Sequence, residues 1–210
     1  MQAAFVREAG LPFDRIDMAC GDGDDVSAPL YRRVLGDSWS RIAEPLRCAH
    51  ATCPRVRAHG RFRIEHGRHR VARLLARLLR LPRPVESAET RLVVTARDDG
   101  EQWQRTFDGR RLETRQYESD ASELAERFGM LELRFRLDAC GGSLLYVQRE
   151  AAFVFGPVRV RIPASWAPRV EGREDPVDPR RVKVGVRVIL PGGGLLIAYD
   201  GIIDVEDPRA

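Results

Sequence analysis

From Arg55 onward the chain alternates. Val56, Ala58, Phe62 and Ile64 are apolar, and between them stand Arg55, Arg57, His59, Arg61, Arg63 and Glu65. A period of two predicts a strand with one apolar and one strongly basic face. Gly60, in its middle, predicts a bulge or a close approach by another segment. The alternation returns at Leu131, Leu133, Phe135 and Leu137, set between Glu132, Arg134, Arg136 and Asp138. A three-strand meander is predicted over Leu92–Arg97, Glu101–Phe107 and Arg110–Tyr117, where Asp99-Gly100 and Asp108-Gly109 supply the positive φ of tight hairpins. Further strands are expected at 144–150 after Gly141-Gly142, at 158–162, at 182–190 and at 195–205 after Pro191–Gly194. The stretch 163–179, rich in proline and charge with Trp166 as its large anchor, reads as a long connection, a lid or edge cover. Sequential hairpins imply one antiparallel sheet of about eight to ten strands, large enough to curl into a half-barrel or barrel.

Helical spacing is confined to fewer places. Leu30, Val34, Leu35, Ile42 and Leu46 predict a helical region from Pro29 to about Leu46, interrupted at Gly36-Asp37-Ser38, with Ser38 as cap of a second piece that Pro45 keeps short. Ser119 to Gly129, with Leu124 and Phe128 one turn apart, predicts a short helix. Over 67–81, Val71, Leu74, Leu75, Leu78 and Leu79 form one stripe and Arg70, Arg73, Arg77 and Arg80 another, an amphipathic helix stopped by Pro82. Its leucines are expected on the domain's own sheet; the alternative is that the helix lies on an anionic membrane surface. With helices concentrated ahead of a large sheet, the fold class is α+β.

Charge divides the chain. Residues 1–27 carry two Arg against six acids and include Gly21-Asp22-Gly23-Asp24-Asp25, so they read as a flexible acidic leader to a single domain over 28–206. Residues 28–83 carry fourteen Arg against three acids, while the remainder is slightly acidic. The positive charge is therefore one block, suited to an anionic partner. There is no run of about 18 apolar residues for a membrane span, and Met1–Gly10, without a basic region followed by an apolar stretch, is not expected to be a secretory signal. The expected location is cytoplasmic, with peripheral attachment to the inner face of the membrane as the variant.

Motifs for chemistry are sparse. Cys48, His50, Cys53 and His59 lie close together, but their spacing matches no common zinc pattern. No phosphate-cradling glycine loop and no nucleophile elbow is present. Asp200 and Asp204 share one strand face, where alternating acids blunt an edge. The basic face at Arg61 and Arg63 has no interleaved aromatics, which argues against nucleic acid. No catalytic residue, cofactor or metal is expected.

The segments Leu30–Gly36, Ala58–Ile64, Leu74–Pro82, Glu126–Gly129, Leu131–Leu137 and Tyr199–Gly201, in that order, resemble a bacterial family known as domain of unknown function family 4166, over about residues 28–206. The resemblance implies an accessory domain, sometimes joined to NAD-binding or membrane-associated segments, and names no catalytic residue. The expected function is a non-catalytic module that binds an apolar small molecule or lipid in the curled sheet, or docks an oxidoreductase-like or membrane-associated partner domain. The alternatives are peripheral membrane association through 67–81 and 55–63, and an enzyme of unknown class. The expected ligand or partner surface comprises Arg61, Arg63, Arg73, Arg77, Trp166 and Tyr199.

Overall fold

The computed structural model describes residues 28–52, 54–119 and 122–206; the acidic leader 1–27 and Cys53 lie outside them. The alternating segments pair into an antiparallel sheet: β1 (Arg55–His66), β2 (Val85–Arg97), β3 (Gly100–Phe107), β4 (Arg110–Glu118), β5 (Leu124–Phe128), β6 (Leu131–Cys140), β7 (Ser143–Phe155), β8 (Val158–Arg161), β9 (Arg169–Pro176), β10 (Arg181–Ile189) and β11 (Leu195–Val205). Ten of these close into a ring, β1 to β7 in chain order, then β9, β10 and β11, with β11 back on β1. β8 pairs only with the far half of β7 and stays outside the ring. Closure leaves the ring without a free edge, which is how a sheet this wide avoids unpaired backbone.

The seam between β1 and β11 is tight. A side chain at Gly60 would meet the Ile202 carbonyl oxygen at 2.0 Å, and one at Gly201 the Arg61 oxygen at 2.2 Å. Gly60 therefore marks the close approach its position predicts. In β1, Val56, Ala58, Phe62 and Ile64 are buried and the arginines exposed, as the alternation requires. The turn Asp108-Gly109 has both residues at positive φ, at 45° and 78°, as a tight hairpin needs.

Three expectations about helices and strands are corrected. The 119–129 stretch contains strand β5, not a helix: spacing i, i+2, i+4 at Leu124, Glu126 and Phe128 fits a strand face as well, and pairing with both β4 and β6 decides it. The 163–179 stretch is not only a connection, because β9 lies within it and closes the barrel between β7 and β10. Asp200 and Asp204 do not blunt an edge, since β11 is flanked by β1 and β10.

Three short helices accompany the barrel: α1 (Leu30–Leu35), α2 (Glu44–His50) and α3 (Arg70–Leu78). Between α1 and α2 runs a 3-10 turn, Gly36–Arg41, in which the Ser40 hydroxyl bonds the Asp37 carbonyl. Pro45 opens α2 rather than ending it, in the first turn where its missing N–H costs nothing. α1 and α2 plug one end of the barrel, with Leu30, Tyr31, Leu46 and His50 all buried.

α3 joins β1 to β2 at the opposite end. The Gly67 N–H bonds the Leu196 carbonyl on β11, and beyond the helix Arg110, at the start of β4, donates to the Leu81 carbonyl. α3 thus sits on β11 and β1, and the segment that follows it carries the cover round to the start of β4. Its packing reverses the expectation. The small residues Ala72 and Ala76 face the barrel, at 0% and 2% exposure, while Val71, Leu74 and Leu78 stand in solvent at 52%, 58% and 69%. Alanines let the helix backbone sit close to the barrel rim; of the expected stripe Leu75 packs partly against the core, and Val71, Leu74, Leu78 and Leu79 are left outside.

Candidate functional site: a half-open barrel lumen

Inward-facing positions change burial along the barrel axis. At the plugged end Leu124, Phe135, Leu144 and Val182 are fully buried. On the same strand faces toward the other end, Glu126, Leu133, Tyr146 and Val184 are only partly buried, as are Leu112 on β4, Val170 on β9 and Val186 and Val188 on β10. β1 and β2 show no such gradient: Ala58, Phe62 and Ile64, and Ala88, Leu92 and Val94, are buried throughout. Solvent therefore enters through a mouth on the β4 to β10 side, the side α3 does not span, and stops at the plug.

The floor of this lumen is polar. The His50 ring, from α2, stacks on Tyr31, from α1, with centroids 3.8 Å apart. His50 Nε2 lies 2.7 Å from Glu174 Oε2 on β9, and Tyr146 Oη on β7 donates to Glu174 Oε1 at 2.8 Å. Burial by itself raises the Glu174 carboxyl, but His50 and the bonds from His50 and Tyr146 outweigh burial and hold it below its ordinary value. The carboxylate is thus ionised at neutral pH, so Nε2 carries the proton and donates. Tyr31 Oη donates to Gln116 Oε1 at 2.8 Å and lies 3.0 Å from Tyr146 Oη. Burial first, and the Glu174 charge second, push both phenols well above their ordinary range.

Beside this group Arg105, on β3, lies over the Trp103 ring at 4.9 Å, bonds Thr114 at 2.9 Å and faces Glu126 at 3.4 Å. Burial alone would lower its pKa; the Glu126 charge reverses the sign. Deeper in the plug, Trp103 Nε1 donates to Glu101 Oε2 at 3.0 Å. Burial lifts the Glu101 carboxyl above its ordinary value, with His50 pulling the other way. His50 Nδ1 is buried without a hydrogen-bond partner among the described residues, and Thr52 lies beside the Glu101 carboxyl. From mouth to floor, then, an apolar wall ends at phenol hydroxyls and a neutralised arginine–carboxylate pair.

Of the surface expected from sequence, one residue lies here: Tyr199, whose phenol burial pushes up. The structure separates the others from it. Arg61 and Arg63 project from the outer face of β1, Arg61 toward the Ser87 hydroxyl and Arg63 onto Glu65 and Glu86. Arg73 and Arg77 are exposed on α3, and Trp166, at 77% exposure, lies on the connection feeding β9. Tyr31, Arg105, Glu126, Tyr146 and Glu174 escaped the sequence reading as site residues, and His50 entered it only beside Cys48, Cys53 and His59, not as the partner of a carboxylate on β9. They come from six different elements, and only closure of the ring brings them together.

A second concavity, about 650 Å³, lies over β7, β9, β10 and β11. Leu145, Val147, Arg173 and Arg187 line it, and by alternation they point away from Tyr146 and the lumen. Its rim mixes Arg173 and Arg187 with Glu65, Glu171 and Asp200, so charges of both signs meet there. Among the described residues no helix is long and apolar enough to cross a membrane.

Fold and site together define a closed ten-strand antiparallel barrel, plugged at one end and open at the other. The chain belongs to the family described as Domain of unknown function (DUF4166), which matches residues 42–203. No curated protein matches it.

Proposed function

We propose that the protein is a binding module that takes an elongated amphiphile in its lumen. The apolar body would lie against Leu112, Leu133, Val170, Val184 and Val188, and the polar end would reach Tyr146, Tyr199 and the Arg105–Glu126 pair. The observation that carries this reading is the burial gradient: side chains on the lumen face are packed at the plug and solvent-accessible toward the mouth. Apolar concavities with a few convergent polar groups are the usual form of small-molecule sites, and barrels of this size hold one ligand where side chains do not fill them. Because Glu126 balances Arg105, the favoured polar end is an uncharged hydroxyl, carbonyl or amide rather than a bare carboxylate.

The test is native mass spectrometry of the purified protein beside its denatured mass, followed by organic extraction and titration with a fluorescent long-chain alcohol. The expected result is a reproducible extra mass that extracts into organic solvent, or saturable uptake of the probe by the stripped protein. Val186→Trp, which narrows the lumen, is expected to abolish both while the thermal transition stays cooperative. A clean unliganded mass together with no probe uptake would overturn the reading.

A further inference from the structure

All but Val177 and Ile202 of the large apolar side chains exposed among the described residues lie at the mouth end. They fall mainly on two elements that flank the opening. On one side α3 presents Val71, Leu74 and Leu78, since its alanines take the place against the barrel. On the other, β7 and β8 run past the rim as a hairpin. Its registered pairs Phe153↔Val160 and Phe155↔Val158 put four exposed apolar side chains on one face. The Phe153 and Phe155 rings lie 6.2 Å apart.

The register explains which face this is. β7 carries one extra residue opposite the Arg134–Phe135 step of β6, so that Leu133 pairs with Ala151 and Leu131 with Phe153. Leu133 faces the lumen, and Phe153 stands on the same side two residues further out. The bulge therefore keeps the hairpin's aromatic face continuous with the apolar wall of the lumen instead of turning it outward.

Charge says what covers this end. From Gly67 to Pro84 the chain has six arginines and no acid. All six are exposed, and none forms a salt bridge with a described residue. Arginine is enriched at protein–protein faces too, so the spacing of the charge, not its amount, names the partner. Here Arg70, Arg73 and Arg77 alternate with Leu74 and Leu78 along nine residues of helix. That interleaving matches the boundary where anionic headgroups meet acyl chains.

We propose that the mouth of the barrel docks on an anionic bilayer. Leu74 and Leu78 of α3 and Phe155 and Val158 of the hairpin enter the acyl boundary, and the α3 arginines rest on headgroup phosphates. The lumen then opens onto the membrane, and the hairpin gives an apolar chain a continuous path from bilayer to wall. The inference takes its purpose from the lumenal binding reading, but its observations stand apart from it.

The test is co-sedimentation of the full chain with vesicles of about two parts phosphatidylcholine to one of phosphatidylglycerol, beside pure phosphatidylcholine, at low and moderate salt. Strong binding to the anionic vesicles, weak binding to the neutral ones and loss with salt are expected. The pairs Leu74→Glu with Leu78→Glu, Phe155→Glu with Val158→Glu, and Arg73→Glu with Arg77→Glu should each weaken binding about tenfold or more. Val177→Glu, at the plugged end, should leave it unchanged, and circular dichroism verifies the fold of every variant. No binding to anionic vesicles at low salt, or binding insensitive to both apolar pairs, overturns the proposal. A protein partner captured by the mouth in place of vesicles overturns it too. Val186→Trp is expected to bind vesicles normally, so lumenal binding and docking fail separately.

Discussion

His50 and Glu174 lie 124 positions apart in the chain and meet at 2.7 Å inside the plugged end of the barrel. One comes from the helix before the first strand and the other from a strand near the end of the chain, so the pair ties the plug to the ring. Both are nearly removed from solvent, at 1% and 10% side-chain exposure. A buried pair of this kind stabilises little over a well-packed apolar replacement, but removing one partner leaves the other charge uncompensated.

His50→Ala is therefore expected to cost about 3–5 kcal/mol, read by urea unfolding at neutral pH. The acid limb follows from Glu174. Its carboxyl is held below the ordinary value in the fold, so its stabilisation is fully present above the unfolded value of 4.5 and is lost as pH falls through the lower folded value. Glu174→Gln should flatten that limb of the stability profile. An acid limb unchanged in the variant would show that the pair does not govern it.

The chain has four tyrosines, and each is shifted upward in the fold. Tyr117, on the outer wall, is pushed to about 12 by burial first and then by its hydrogen bond to Glu132. At pH 10 the folded protein should therefore show almost no phenolate absorbance, whereas the urea-unfolded chain should be half ionised. Raised folded values favour unfolding once the unfolded phenols lose their protons, so stability should fall as pH climbs past 10 toward the folded values. Half-ionised tyrosine in the native protein at that pH would contradict the buried placement of Tyr31 and the upward shifts of Tyr146 and Tyr199.

α3 gives an inverted mutational pattern. Ala76→Leu, a hydrophobic enlargement, should destabilise by about 1–3 kcal/mol because it pushes the helix off the barrel. Leu78→Ser, a loss of apolar surface, should change stability by no more than about 0.5 kcal/mol because the side chain is in solvent. Paired urea melts decide this, and a costly Leu78→Ser would place the leucines against the protein.

Much of the barrel was legible because its strands carry period-two alternation with turn residues between them, as at Val56–Ile64 and Leu131–Leu137. β9 was not, because its inward positions are Val170, Gly172 and Glu174 rather than three apolar residues. Gly172 leaves room for the Tyr146 ring and Glu174 meets His50, so the features that hid the strand are the ones that build the lumen floor. α3 misled in the opposite sense. Its leucine stripe is conspicuous, but periodicity states which residues share a face and not which face finds a partner. The ordered match from Leu30 to Gly201 located the family without locating the site, since Tyr31, His50, Arg105, Glu126, Tyr146 and Glu174 are scattered over six elements.

Tyr31 has a further consequence. The family match begins at residue 42, after α1, yet Tyr31 is wholly buried and bonds to Gln116, while Arg33 of the same helix pairs with Glu118 at 3.1 Å. A fragment trimmed to the matched residues would keep nearly every strand of the ring and lose the stopper that Tyr31 forms against His50. Water would then reach Gln116 and His50 beside α2, which alone would remain of the plug, and what had been a sealed cup would leak at its base. On the proposed reading an apolar molecule is held best where water is shut out on the far side, so the six residues of α1 share with α2 the sealing of this barrel.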